Sequence, residues 1–175
     1  MKIFNYFSLS FLFIALIGCS SDNSSDNTSQ YAMTAKINGV YYEMNNVFGT
    51  NESNTTIWDY YPSSEFIRLQ GSIGGLGGGK EINIWIKRTD LVIGTHPLSV
   101  ETYDGTKSHV DLIDNTNAEY EDTFSGSISI TAVNTTDKTV KGTFYFNSAD
   151  EANAASPVTN FTTTEGTFNY RYDVD

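Results

Sequence analysis

The sequence is short of cysteine, histidine and positive charge, and each shortage removes a class of protein. One Cys in 175 residues closes no internal disulfide and builds no Cys-rich zinc site. Two His are too few for most zinc centres. Ten Lys and Arg stand against 21 Asp and Glu, a formal charge of −11. No basic excess is left to displace counterions from phosphates, so nucleic acid is excluded as a partner. Long apolar runs are also missing, apart from one near the N-terminus that falls short of the roughly 20 residues a membrane span needs. What is present is length enough for one domain and 14% aromatic residues to build its core. Charged residues make up only 18%, so the surface leans on Thr, Ser, Asn and Gly.

That N-terminal run reads as a secretory signal peptide over residues 1–18. Lys2 gives a short positive region, Phe11-Leu12-Phe13-Ile14-Ala15-Leu16-Ile17 an apolar stretch, and Gly18 a small residue at the cut. Leu16-Ile17-Gly18-Cys19 resembles the lipobox of bacterial lipoproteins. That resemblance implies a diacylglycerol on the Cys19 sulfur and an N-acyl chain such as palmitate on its new amino terminus. Each buried methylene contributes about 0.8 kcal/mol, so several chains moor a soluble domain almost permanently. Residues 19–30 then form a lipidated tether. Ser20 to Gln30 holds no apolar residue, cannot offset its ordering entropy, and spaces the domain on the order of 20 Å from the bilayer. Ser20, Ser21, Asp22 and Asp26 resemble outer-membrane sorting and, in part, surface-export signals. The expected location is the outer membrane, lipid-anchored, with cell-surface exposure as an extension of that expectation.

Residues 31–175 carry a period of two. Met33, Ala35 and Ile37 alternate with polar neighbours, and Asn38-Gly39 is a two-residue hairpin signal because both positions tolerate positive φ. Similar alternation runs through Ile67 to Ile73, Ile82 to Ile86, Ile128 to Ala132, Val140 to Phe146 and Phe168 to Tyr172. The best helical candidate, Ala149 to Ala155, is short and lacks an apolar face. Alternating strands separated by polar turns predict an all-β fold, an antiparallel sandwich or barrel-like single domain. Gly142-Thr143-Phe144-Tyr145-Phe146 recurs as Gly166-Thr167-Phe168-Asn169-Tyr170. A single recurrence marks two neighbouring strands with like core faces rather than a repeat array.

Those two segments, with Ala35-Lys36-Ile37-Asn38-Gly39-Val40-Tyr41-Tyr42, Gly94-Thr95-His96-Pro97-Leu98 and Gly126-Ser127-Ile128-Ser129-Ile130-Thr131, carry a further likeness. Over about Ala32 to Tyr172 the chain resembles a family of small Bacteroidetes lipoproteins known only as a domain of unknown function. It departs at His96, where an aromatic such as Tyr is expected. The resemblance implies a fold and a location and carries no catalytic residues.

No catalytic set is expected. Gly74 to Lys80 fits half of a phosphate-binding loop, but Glu81 replaces the Mg²⁺-binding hydroxyl and a strand follows where a helix is needed. It reads as a hairpin loop. His96 precedes Pro97 in an expected turn. His109 and Asp111 share a strand face and read as solvated, since a metal or catalytic pair needs a third partner. Asp104, Asp111, Asp114, Glu119, Glu121 and Asp122 read as a solubilising edge, and Asp104-Gly105 as a turn. No metal and no cofactor beyond the acyl chains is expected. Aromatic rings supply the candidate binding site: Trp58, Tyr60 and Tyr61 cluster before Pro62, and Trp85 points off the Ile82/Ile84/Ile86 face, outside or under a second layer. The reading is a non-enzymatic binding module, anchored to the membrane, for a glycan or an envelope protein. A barrel holding a small ligand and an envelope hydrolase are the alternatives.

Overall fold

A computed structural model describes residues 31–53, 61–100 and 106–174. Among them the chain is all-β, with no α-helix. The strands are β1 (Met33–Ile37), β2 (Val40–Met44), β3 (Phe66–Ser72), β4 (Lys80–Lys87), β5 (Gly94–Pro97), β6 (His109–Asp114), β7 (Glu119–Asn134), β8 (Thr139–Ala149) and β9 (Phe161–Arg171). They form one 9-stranded antiparallel sheet in the order β2-β1-β9-β8-β7-β6-β4-β3, with β5 also on β7, curled into a half-barrel.

The curl has a local cause in β7. Its first half pairs β6, from Asp114↔Glu119 to Asp111↔Asp122. Its second half pairs β5, from Pro97↔Ser127 to Gly94↔Ile130. Between them the register against β8 shifts, and Gly126 takes φ 151. A Cβ there would lie 2.8 Å from Phe146 Cα, so only glycine lets the strand bend against its neighbour.

Asn38 and Gly39 close the β1–β2 hairpin with φ 47 and 81, as the Asn-Gly pair predicts. The sheet edges meet at a bridge between Asn45 and Ser72, where Ser72 N donates to Asn45 O at 2.7 Å. Across the interior Tyr170 Oη donates to Gln70 O at 2.6 Å, tying β9 to β3. Met33, Ile37, Met44, Leu69, Ile82, Ile84, Leu112 and Phe146 fill the space between, all buried.

Several expectations are corrected. Gly94–Pro97 is a strand, not a turn, because β7 outruns β6 and offers its far half as a partner. The weak helical candidate after β8 forms turns over residues 150–156, in keeping with the all-β expectation. The acidic edge is not uniformly solvated: Asp111, Asp114 and Glu121 are buried.

A candidate binding groove on the outer face of β3, β4 and β6

β4 is buried on both faces. Its isoleucines enter the core, and Glu81, Asn83 and Trp85 point the other way under a second layer. Cross-strand register sets three rows on that outer face: Arg68, Trp85 and His109; Gln70, Asn83 and Asp111; Ser72, Glu81 and Ile113. A burial this polar must be hydrogen-bonded to be tolerated. Glu81 Oε1 accepts from Gln70 Nε2 at 2.6 Å and from Asn83 Nδ2 at 2.9 Å. Trp85 Nε1 donates to Asp111 Oδ2 at 2.8 Å.

Tyr61 lies over this face, its ring 4.7 Å from His109, 5.0 Å from Trp85 and 5.3 Å from Phe66 between centroids. Trp85 is 3% and Tyr61 4% exposed. Of the two placements expected for Trp85, outside or under a second layer, the structure has the second, and Tyr61 packs against it rather than presenting an open face to a ligand. Trp58, Tyr60, Asp104 and Cys19 lie outside the described residues. His109 and Asp111 do share a face, with His109 Nε2 4.0 Å from Asp111 Oδ1, but both are buried rather than solvated. Among the described residues no group of three or more His, Cys, Asp or Glu could hold a metal ion.

Beside this buried layer opens a groove of about 660 Å³. Arg68, Gln70 and Glu81 line it from the sheet, Thr50 and Glu52 from the β2–β3 connection, and Leu76 from the β3–β4 loop. The connection is held in shape by Asn46. Its Oδ1 accepts from Phe48 N and Thr50 N, both at 2.9 Å, and its Nδ2 donates to Thr50 Oγ1 and Glu52 O. That is the Asx-type turn for which asparagine is suited. Phe48 and Leu76 stand on the rim, 80% and 88% exposed.

Among the described residues, Arg68 is the one cation lining the groove. Its guanidinium carbon sits 5.5 Å over the Trp85 ring. Burial pulls its pKa down from the ordinary value, and the Glu81 and Asp111 carboxylates pull it back up. Among the described residues, Arg68 Nε and the Asn83 Oδ1 have no hydrogen-bond partner. One is a donor and the other an acceptor, so the site combines charge, an amide and apolar rim groups. Sequence reasoning missed Arg68, Gln70, Glu81 and Asn83. Their alternation with isoleucines is visible, but nothing in a strand's period reports that the polar face is covered.

Comparison with protein-family models, with curated proteins and with solved structures returns no match for the chain.

Proposed function

We propose that the chain is an outer-membrane lipoprotein moored by acyl chains on Cys19, whose β domain is a non-enzymatic binding module working through the groove over Arg68, Gln70 and Glu81. The observation that carries this reading is the placement of the sequence's single Cys. It follows Leu16-Ile17-Gly18 at the end of the apolar run and precedes a stretch without one apolar residue. The likeness to small Bacteroidetes lipoproteins points the same way. Binding rather than turnover is supported by how the titratable groups are used. Glu81 is occupied by two amide donors, and Asp111 is held by the Trp85 indole beneath Tyr61. Neither arrangement sets an acid opposite a base across a cleft, as hydrolysis requires.

The test is expression of the parent and Cys19→Ala with a palmitate analogue in the medium. The parent should be labelled and sediment with membranes, and the variant should be neither labelled nor sedimented. Labelling and sedimentation of both would overturn the anchoring. Turnover on a glycan, ester or peptide panel that Asp111→Asn abolishes would overturn the non-enzymatic reading.

A further inference from the structure

The other half of the sheet has an outer face of a different kind. Register pairs Thr34 with Thr167, Thr167 with Thr143, Thr143 with Ser129, and Ser129 with Thr95. One hydroxyl from each of β1, β9, β8, β7 and β5 therefore stands in a single rank across the strands. Their chain neighbours Met33, Phe144, Phe168, Ile128 and Ile130 enter the core, which puts the hydroxyls on the outer face; Thr95, Thr143 and Thr167 are exposed there, Ser129 is half-buried and Thr34 is buried. The rank is knitted at both ends. Thr34 Oγ1 lies 2.7 Å from Thr167 Oγ1, and Thr95 Oγ1 lies 2.8 Å from Ser129 Oγ. Threonine is stiff at χ1, so the row is preorganised and little side-chain entropy is lost on contact.

Along this rank runs a trough of about 570 Å³, with Tyr41 and Tyr145 in its walls, 54% and 55% exposed. The charges at its edge cancel: Lys36 Nζ meets Glu165 Oε1 at 2.7 Å. On a chain of net charge −11 this face is hydroxyl-rich and bordered by flat rings, with Glu43 of β2 opposite Thr34 at one end.

We propose that this rank is the docking surface for an extended, uncharged glycan chain lying across the strands. Hydroxyls both donate and accept, as sugar hydroxyls do, and tyrosine offers an apolar ring with a polar tip to a sugar's C–H face. Neighbouring strands lie about 4.8 Å apart, and an extended glycan advances by a comparable interval per sugar, so successive units meet successive hydroxyls. The alternatives fit less well. The centre of a protein interface is apolar and depleted in Ser, and a membrane surface calls for basic and apolar groups together. This inference rests on the binding-module reading but places the contact away from the Arg68 groove.

The test is affinity electrophoresis of the full chain in non-ionic detergent, through native gels containing soluble β-glucan, xylan or galactomannan, with alginate as the charged comparator. The parent should be retarded by at least one neutral polymer and not by alginate. Thr143→Val/Thr167→Val removes hydroxyls while keeping β-branched shape, and should weaken retardation at least tenfold. Tyr145→Ala, at an exposed site, should do the same and guards against misfolding of the double variant. Val158→Ala, at an exposed site off both the rank and the groove, should be retarded like the parent. No retardation of the parent in any neutral gel overturns the proposal, as does equal retardation of parent and both rank variants. Loss in Arg68→Ala with the rank variants unaffected overturns it too, and leaves the groove as the binding site. Anchoring is judged separately by fractionation.

Discussion

Trp85 and Asp111 face each other across β4 and β6, both buried, with an N–H···O bond of 2.8 Å. Removing a donor from a buried carboxylate costs about 1–3 kcal/mol, because the acceptor keeps its desolvation penalty. Trp85→Phe should therefore lower unfolding free energy by about that amount in urea denaturation. An unchanged midpoint would mean that the indole N–H holds nothing. Glu121 gives a second residue-scale expectation. Burial pushes its carboxyl up from the ordinary value; the Asn160 amide at 2.8 Å opposes this, and the neighbouring Asp150 carboxyl adds to the rise. A raised folded pKa means the group favours folding below its unfolded value, about 4.3. That contribution is lost as pH rises through the folded value. Glu121→Gln should accordingly be more stable than the parent at pH 7, with the gap closing below about pH 4. Urea midpoints across that range decide it, and a gap that widens on acidification contradicts it. Both residues show where the sequence was legible and where it was not. Alternation puts Trp85 off the isoleucine face and Glu121 on the face of Glu119, but what covers either depends on segments distant in the chain.

The echo between Gly142-Thr143-Phe144 and Gly166-Thr167-Phe168 becomes a reciprocal contact at the scale of elements. β8 and β9 pair Gly142 with Phe168 and Phe144 with Gly166. Each phenylalanine lies over the opposite glycine: a Cβ on Gly142 would be 2.5 Å from Phe168 Cζ, and one on Gly166 would be 2.6 Å from Phe144 Cδ2. Gly142 also abuts the Ser129 carbonyl, a backbone atom. Overpacking of this kind costs about 1–3 kcal/mol, so Gly142→Ala and Gly166→Ala should each destabilise by that amount in thermal or urea unfolding. Gly71→Ala should cost less, since its nearest obstacle is the Met33 thioether sulfur at 2.6 Å, on a flexible side chain. Equal stability of Gly142→Ala and the parent would contradict the packing. The sequence announces these two strands as neighbours because antiparallel pairing of like motifs brings each ring to the opposite glycine. It hides β5, since four residues ending in Pro97 are too short to show a period, and the partner strand is more than two dozen positions away.

For the molecule as a whole, an all-β class and antiparallel pairing follow from period-two segments, while the single sheet and its surfaces follow from the curl. Bending β7 at Gly126 turns the β3–β4–β6 half against the β1–β9–β8 half around one core, with the Tyr170–Gln70 bond between them. The polar groove and the hydroxyl rank are thus outer faces of opposite halves. No alternation pattern could foretell that Tyr61 covers Trp85 and His109 beside the groove, while Thr143, Thr167 and Thr95 of the rank are exposed. The proposed function has the domain held at a membrane through Cys19. The most direct measurement is the mass of the N-terminal peptide from full-length protein purified out of membranes. The account predicts a peptide beginning at Cys19 and carrying a diacylglycerol with an amide-linked acyl chain. A peptide that retains residues 1–18, or a Cys19 with a free thiol, would contradict it.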